Sequence, residues 1–346
     1  MEMPGTPRYL IIAGELILLA TLGIAVFLLL EPKALPTHHM VALIISWALA
    51  IVGMVLIMGG FLLVRPHVRV MQTEFAQPVP KPPEVRREIA FESLRIGSTT
   101  DVGRRRTLNE DSIAAIEIQF SFESKHRSRC MMIVGDGMGG HEKGEIASSM
   151  GVKTVVEMLQ PVILDGEADL ATGLQRAIEE ANSRILEYST AHPECQGMGT
   201  TLTAAVIDGR NLIIGHVGDS RAYLINDKEI VQITRDHSLV QEMVEKGEIT
   251  AEQARTHPKR NVIIRVVGYY GRVEPEVFKW SLEEGDHVLV CCDGLVIHMT
   301  DDEIKQIVLQ NPDPQQASAR LVALANERGG QDNISVIIAT ARGIAA

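Results

Sequence analysis

Cysteine is scarce in this chain. There are 4 in 346 residues, at Cys130, Cys195, Cys291 and Cys292, and none has the paired spacing that a metal site needs. Cys291 and Cys292 are neighbours in an apolar run, so as strand residues they point to opposite faces. All four read as reduced packing residues of a cytosolic domain. An excess of basic charge is also missing. Residues 1–90 hold 7 of the 33 Lys and Arg and 6 of the 44 Asp and Glu, which leaves 26 basic and 38 acidic residues for 91–346, a net charge of −12. Phosphate-backbone binding needs a basic face, so nucleic acid is excluded as a partner. A net-acidic domain is better suited to divalent cations. There is no internal repeat, which sets aside solenoid and propeller architectures.

Charge is almost absent from two stretches near the start. Residues 9–30 carry only Glu15, and residues 40–64 carry none. Each is long enough to cross a bilayer about 30 Å thick, which takes roughly 20 apolar helical residues. The linker between them is short, so residues 1–70 read as a transmembrane helical hairpin. A cleaved signal peptide fits poorly, because the first run is too long and a second follows it. Arg8 precedes the first span, and Arg65, Arg69, Lys81, Arg86 and Arg87 follow the second. The positive-inside rule then puts both termini, and everything after the hairpin, in the cytosol of a multi-pass cell-membrane protein. Glu15 reads as a hydrogen-bonding contact, to Ser46 or to a neighbouring subunit. Gly53 and Gly59-Gly60 pack against the first span or allow a close helix contact. Residues 71–90 form a linker. Four prolines between Ala76 and Glu84 favour a stiff polyproline II spacer.

From 91 the chain becomes globular. Strand-like apolar runs fall at 131–134, 201–207, 212–216, 222–225, 287–292 and 334–340. Helical periodicity falls at 143–159, 170–188, 239–246, 251–256, 301–310 and 314–328. Many strands with paired helices between them indicate an α+β domain with layered sheets.

Acidic residues recur at the ends of these runs. Asp136-Gly137 follows the apolar run 130–134, in a place where the chain is expected to turn over glycines. Asp293-Gly294 follows 287–292, and Asp332 comes just before 334–340. Asp219 lies beside a glycine after 212–216, and Asn109-Glu-Asp111 adds two more acids after a basic turn. One Asp-Gly is usually only a turn. Several of them, each beside a buried strand, predict carboxylates that converge at one rim. Oxygen-only ligation of that kind suits Mg²⁺ or Mn²⁺. Of the three arginines Arg104-Arg-Arg106, the first two read as a solvated loop. One guanidinium beside bound cations would clamp a phosphate by two parallel hydrogen bonds.

In order, these residues resemble the metal-dependent (type 2C) serine/threonine protein phosphatases in their bacterial form. The resemblance rests on Thr100-Asp-Val-Gly-Arg-Arg-Arg-Thr-Leu-Asn-Glu-Asp111, Asp136-Gly-Met-Gly-Gly-His141 with Gly144-Glu-Ile-Ala-Ser148, and Gly197-Met-Gly-Thr-Thr-Leu202. It continues through Val217-Gly-Asp-Ser-Arg221, Thr234-Arg-Asp-His-Ser238, Cys292-Asp-Gly-Leu295 and Gly330-Gln-Asp-Asn-Ile334, and so spans roughly 92–342. It implies a four-layer α-β-β-α sandwich of two antiparallel sheets over 91–346. It implies two Mn²⁺ or Mg²⁺ ions, with Asp136 bridging them, the Gly137 carbonyl helping to hold one, and Asp293 and Asp332 holding the other. Asp219 would help bind a third, weaker ion. Arg106 falls at the phosphate-binding position and Glu110 at that of the acid orienting the attacking water. Residues 237–268 look like the flap that covers the cleft.

The same resemblance implies hydrolysis of phosphoserine and phosphothreonine by water activated at the metal pair, in opposition to serine/threonine kinases. Neither a covalent phosphoenzyme nor a catalytic cysteine is needed. Met138 stands where eukaryotic relatives carry a histidine proposed as general acid. His141 is nearby, and helix capping or local packing accounts for it better than an acid role. Two other readings compete. One is a catalytically silent phosphoprotein-binding scaffold, against which the complete carboxylate set argues. The other is a hydrolase of small phosphate esters, to be separated from the first reading by substrate.

Overall fold

The computed structural model describes residues 94–341 apart from 123–124, 140–142, 166–167 and 270. The chain divides into two units, 1–82 and 83–346, and the described residues belong to the second. The expected membrane spans and proline-rich linker lie outside the described residues. Among the described residues no helix is long and apolar enough to cross a membrane.

Eleven strands and seven α-helices are described. The first part comprises β1 (Arg95–Asp101), β2 (Asp111–Phe122), β3 (Lys125–Met138), α1 (Gly144–Leu164), α2 (Leu170–Ala191), β4 (Gly199–Thr200), β5 (Leu202–Asp208) and β6 (Asn211–Val217). Next come β7 (Arg221–Ile225), β8 (Ile230–Gln232), α3 (Leu239–Glu245), α4 (Ala251–Thr256) and β9 (Glu276–Ser281). The chain closes with β10 (His287–Cys291), α5 (Asp293–Val296), α6 (Asp301–Gln310), α7 (Pro314–Glu327) and β11 (Ile334–Thr340). One antiparallel sheet runs β1-β11-β10-β7-β8 and the other β2-β3-β5-β6-β9, with β4 paired to β3.

Side-chain alternation builds the layers. In β3, Met131 and Ile133 pack against α1 and α2, while Cys130, Met132 and Val134 face the other sheet. In β10, Val288 and Val290 face the same inter-sheet core, while Leu289 and Cys291 pack under α6 and α7. Strands apolar on both faces need cover on both faces, and three cores between four layers supply it. Cys291 and Cys292 do separate to opposite faces, and all four cysteines are buried and unpaired.

The helices follow their pattern. α1 buries Ala147, Val152, Val155, Leu159 and Ile163 along one face. Asp169 caps α2 by accepting from the Ala171 and Thr172 amides, and Asp313 caps α7 with Pro314 in its first turn. Strands β1, β2 and β9 stand outside the apolar runs, because they mix polar residues into their alternation and their pairing partners define them. β1 is matched along its length to β11, from Arg95 opposite Thr340 to Asp101 opposite Ile334.

One charge is buried deep in this frame. Arg129 is 1% exposed and closes the end of α1, donating to the carbonyls of Ile163 (2.6 Å) and Asp165 (2.9 Å) and to Asp208 Oδ2 (2.8 Å). Removing one member of a buried, hydrogen-bonded ion pair costs about 3–5 kcal/mol, because the partner is left uncompensated. Arg129→Ala is therefore expected to lower the melting temperature by about 10 °C in a domain of this size. A thermal scan reads this directly, and a shift under about 2 °C would contradict it.

Candidate active site

The site forms where the ends of both sheets meet. The β2–β3 register sets Asp111 directly opposite Asp136, so two carboxylates face each other across neighbouring strands. Like charges so placed destabilise a sheet unless something else binds them. β10 and β11 bring Asp293 and Asp332 to the same end of the other sheet, where the Cys292 amide donates to the Ser335 carbonyl (3.2 Å). Asp219 lies in the bend that carries the chain from β6 to β7, between the sheets.

One local expectation is corrected. Asp136-Gly137 is not a turn: β3 continues through Met138, pairing Gly137 with Thr200 and Met138 with Gly199. Glycine is needed here for close approach. A Cβ on Gly137 would collide with the carbonyl oxygens of Gly144 and Glu110, and the Gly137 amide donates to Glu110 O at 3.2 Å. The strand end, the Glu110 loop and the start of α1 therefore converge on Gly137. Asp136 is itself pinned by its backbone, donating to Thr201 Oγ1 (3.0 Å) and accepting from Thr200 Oγ1 (2.9 Å).

Arg106 reaches the carboxylates from the loop after β1. Its Nη2 donates to Asp332 Oδ2 at 2.9 Å, its Nε lies 2.9 Å from Asp332 Oδ1, and its Nη1 lies 3.4 Å from Glu110 Oε2. Arg104 and Arg105 have exposed side chains, and among the described residues only their amides are engaged, on Gly330 O. They form the solvated loop expected of them. Asn333 holds this loop against β11. Its Oδ1 accepts from the Glu110 amide (2.8 Å), and its Nδ2 donates to the carbonyls of Val102 and Leu108 (2.9 Å each). Glu110 also accepts from the Gly144 amide at the start of α1.

Burial, and then crowding, raises the pKa values of several of these carboxylates. Burial, then the neighbouring Asp111 and Asp293, push Asp136 well above the usual carboxylate range. Asp219 is pushed well up by burial and then by Asp293. Asp293 rises to about 6 through burial and Asp332, and Asp111 to about 7 chiefly through burial. Glu110 is raised by burial, and Arg106 is raised by its hydrogen bond to Asp332. Asp219 is buried, and its Oδ1 has no hydrogen-bond partner among the described residues. Carboxylates that repel one another, with an orphaned oxygen among them, fit divalent oxygen-seeking cations such as Mg²⁺ or Mn²⁺.

The structure thus brings Arg106, Glu110, Asp136, Gly137, Asp219, Asp293 and Asp332 to one rim. His141 lies outside the described residues. Asp111 completes the set. The sequence counts it among the converging acids without giving it a role, and its place opposite Asp136 becomes visible once β2 is paired with β3. Cys292 is also part of the cluster. One side-chain atom each of Asp111, Asp136 and Cys292 lie within 4.8 Å of one another, and the Cys292 thiol is pushed well up by burial and then by Asp111. A thiol held neutral in this way is inert.

His237 supports the rim from behind. Its Nδ1 accepts from the Gly218 amide (3.1 Å), next to Asp219, and its Nε2 lies 3.2 Å from Glu276. Gly218 has φ +116°, and a Cβ there would press on Thr201, so the bend before Asp219 requires glycine.

A two-sheet sandwich with a carboxylate rim and an arginine seated on it is the arrangement of a metal-dependent phosphohydrolase. Residues 103–331 match the family profile of protein phosphatase 2C, and the chain belongs to that family. It is a metal-dependent serine/threonine phosphatase, and its cofactors are manganese or magnesium ions, two to a site. Over 241 residues it is 37% identical to the serine/threonine phosphatase Stp of Listeria monocytogenes, covering 69% of this chain and 92% of that protein. It is 36% identical to the serine/threonine protein phosphatase PstP of Mycobacterium tuberculosis over 246 residues, 71% of this chain and 45% of PstP. A crystal structure of Mycobacterium tuberculosis PstP superposes with a TM-score of 0.63 at 37% identity, covering 72% of this chain and 99% of that one. A second PstP structure, of the catalytic domain with two manganese ions, gives 0.62 at 35% identity, covering 71% and 97%.

Proposed function

We propose that this chain is a membrane-anchored phosphatase that removes phosphate from phosphoserine and phosphothreonine in cytosolic proteins, in opposition to serine/threonine kinases. The observation that carries the catalytic part is the convergence of Asp136, Asp219, Asp293 and Asp332 beside Arg106, with an orphaned carboxylate oxygen among them. A phosphoprotein-binding scaffold would have no use for carboxylates forced so close. The anchor rests on the uncharged runs 9–30 and 40–64, and the cytosolic placement on the arginines and lysines that follow the second run.

In this reading Asp136, the Gly137 carbonyl, Asp293 and Asp332 hold the two ions, and Asp219 serves a third. Held by these residues, such ions would supply positive charge against the phosphate dianion and lower the pKa of water. Arg106 binds the non-bridging oxygens of the phosphate with the fork that now rests on Asp332. Glu110, held by the Gly144 amide, orients the attacking water. Asn333 keeps both residues in place by tying their loop to β11. Arg106→Lys keeps the charge and loses the fork, so KM for a phosphopeptide is expected to rise at least about tenfold. Steady-state kinetics would show it, and an unchanged KM would remove Arg106 from phosphate binding.

The test is phosphate release by the full chain in detergent, from a phosphothreonine peptide and from a small aryl phosphate, with Mn²⁺, Mg²⁺ or chelator. Metal-dependent turnover of the peptide, well above that of the small ester, is the expected result. No turnover with either metal in a folded chain would sink the catalytic reading. A preference for the small ester would replace the protein substrate.

A further inference from the structure

The flap is zipped at its base. Ser238 bridges to Ile263, the Leu239 amide donates to Val262 O (2.8 Å), and the Ile264 amide donates to His237 O (2.8 Å). Beyond this, Val267 exchanges both backbone hydrogen bonds with Thr200 of β4 (2.9 and 3.0 Å), and the Gly268 amide donates to Asn182 of α2 (2.8 Å). Arg255 ties α4 down by donating to the carbonyls of Val296 (3.2 Å), the last residue of the helix that begins at Asp293, and of Met299 (2.9 Å) just after it. The residues between 240 and 261 therefore have a fixed place beside the carboxylate rim.

The charge of this segment runs against that of the domain. Residues 253–273 contain five basic residues, Arg255, Lys259, Arg260, Arg265 and Arg272, and no acid, in a region whose net charge is −12. Two of the five are engaged: Arg255 as described, and Arg265 with Glu276 at 3.1 Å. Lys259 and Arg260 are exposed, and among the described residues neither side chain has an ion-pair or hydrogen-bond partner. A groove of about 630 Å³ runs from Asp219 and Asp293 to Arg260. Other acids along it are occupied. Asp236 is held by a two-pronged contact from Arg221 (2.7 to 3.1 Å), and Asp301 accepts from Tyr223, which leaves Glu252 as the lining acid without such a role.

We propose that Lys259 and Arg260 form a second anion site, which reads an acidic or phosphorylated residue lying near the target phosphoresidue in the same substrate segment. This rests on the phosphatase reading and adds a substrate class to it: acidic or multiply phosphorylated segments. Arg260 lines the groove, the exposed Lys259 precedes it in the chain, and such a pair binds a carboxylate or phosphate by charge-assisted hydrogen bonds. In this reading the groove takes the target phosphate where Asp219 and Asp293 line it. The net-acidic domain disfavours such a segment on the whole, so two cations without partners among the described residues select as well as bind.

The experiment uses the full chain in detergent with Mn²⁺ and four phosphothreonine peptides, flanked by alanine, by glutamate, by a second phosphoserine and by lysine. Lys259→Glu/Arg260→Glu is the comparison. The native chain is expected to favour the glutamate and doubly phosphorylated peptides about tenfold in kcat/KM over the alanine peptide, through KM, with the preference shrinking as salt is raised. In the double variant that ratio should fall to about one, and the lysine peptide should become the preferred substrate. No preference in the native chain, or an unchanged preference in the variant, overturns the second site. Loss of turnover on every peptide would instead defeat the phosphatase reading. Fluorescence anisotropy of labelled glutamate and alanine peptides then decides the anion site alone, and equal binding of the two overturns it.

Discussion

Asp136→Asn is expected to lower phosphate release at least about a thousandfold and, in chelator, to raise the melting temperature by about 5 °C. Both effects have one cause. Asp136 faces Asp111 across the β2–β3 pair and lies among Asp219, Asp293 and Asp332, and its carboxyl is pushed well above the usual range. Its charge is costly until cations are present, and with them it is the group best placed to join the two halves of the site. Asparagine keeps the shape and removes the charge, so the bare fold relaxes as the function is lost, which is the stability–activity trade-off of a strained site. Phosphate release and a thermal scan in chelator measure the two arms separately. Activity within tenfold of the native chain would remove Asp136 from the centre of the mechanism. A fall in melting temperature would show that the carboxylate has a structural partner.

The metal-free chain should lose stability as pH rises from about 6.5 to about 8.5, and manganese should abolish that loss. The sign follows from the direction of the shifts. Asp111 is raised to about 7, and Asp136 and Asp219 are raised well above the usual range, whereas an unfolded chain ionises aspartate near 3.9. In this window the folded chain holds protons that the unfolded chain has already released, so stability falls as pH rises. Each such group contributes about 1.4 kcal/mol per pH unit while it remains protonated. His216, lowered to about 3 mainly by burial, and His237, also lowered by burial, act in the opposite direction. They do so only below about 6.5, where unfolded histidine takes up its proton, and for that reason the test begins there. Manganese binds the ionised carboxylates, so ligand stabilisation grows as the proton cost grows, by about 2.7 kcal/mol at a hundred times the dissociation constant. Melting temperatures at pH 6.5, 7.5 and 8.5, in chelator and in Mn²⁺, provide the check. Stability that rises with pH in chelator would show that the carboxylates are already paired within the protein.

Much of this was legible in the chain itself. The apolar runs at 131–134, 287–292 and 334–340 announce strands because a strand buried on both faces is apolar at every position. The aspartates stand out because each lies next to such a run. Their order along the chain, with Arg106 and Glu110 ahead of them, is enough for the family. What could not be read concerns positions whose meaning depends on a distant partner. β1 and β2 are polar enough to pass for loops until β11 and β3 pair with them. Asp111 becomes a site residue only in the register that sets it opposite Asp136. Asp136-Gly137 looked like a turn because glycine after aspartate usually is one. Its actual use is to let Glu110 and Gly144 approach a strand that runs on.

The sequence by itself therefore determined the layered α+β architecture, the inventory of carboxylates and the strand ends that carry them, since these follow from local pattern and composition. The tertiary structure alone decided that Asp111 faces Asp136 across a strand pair, that Arg106 rests on Asp332, and that Arg260 lines a groove with no partner among the described residues. Those are facts of separation in space, and the energy of a charge depends on which charges are near it.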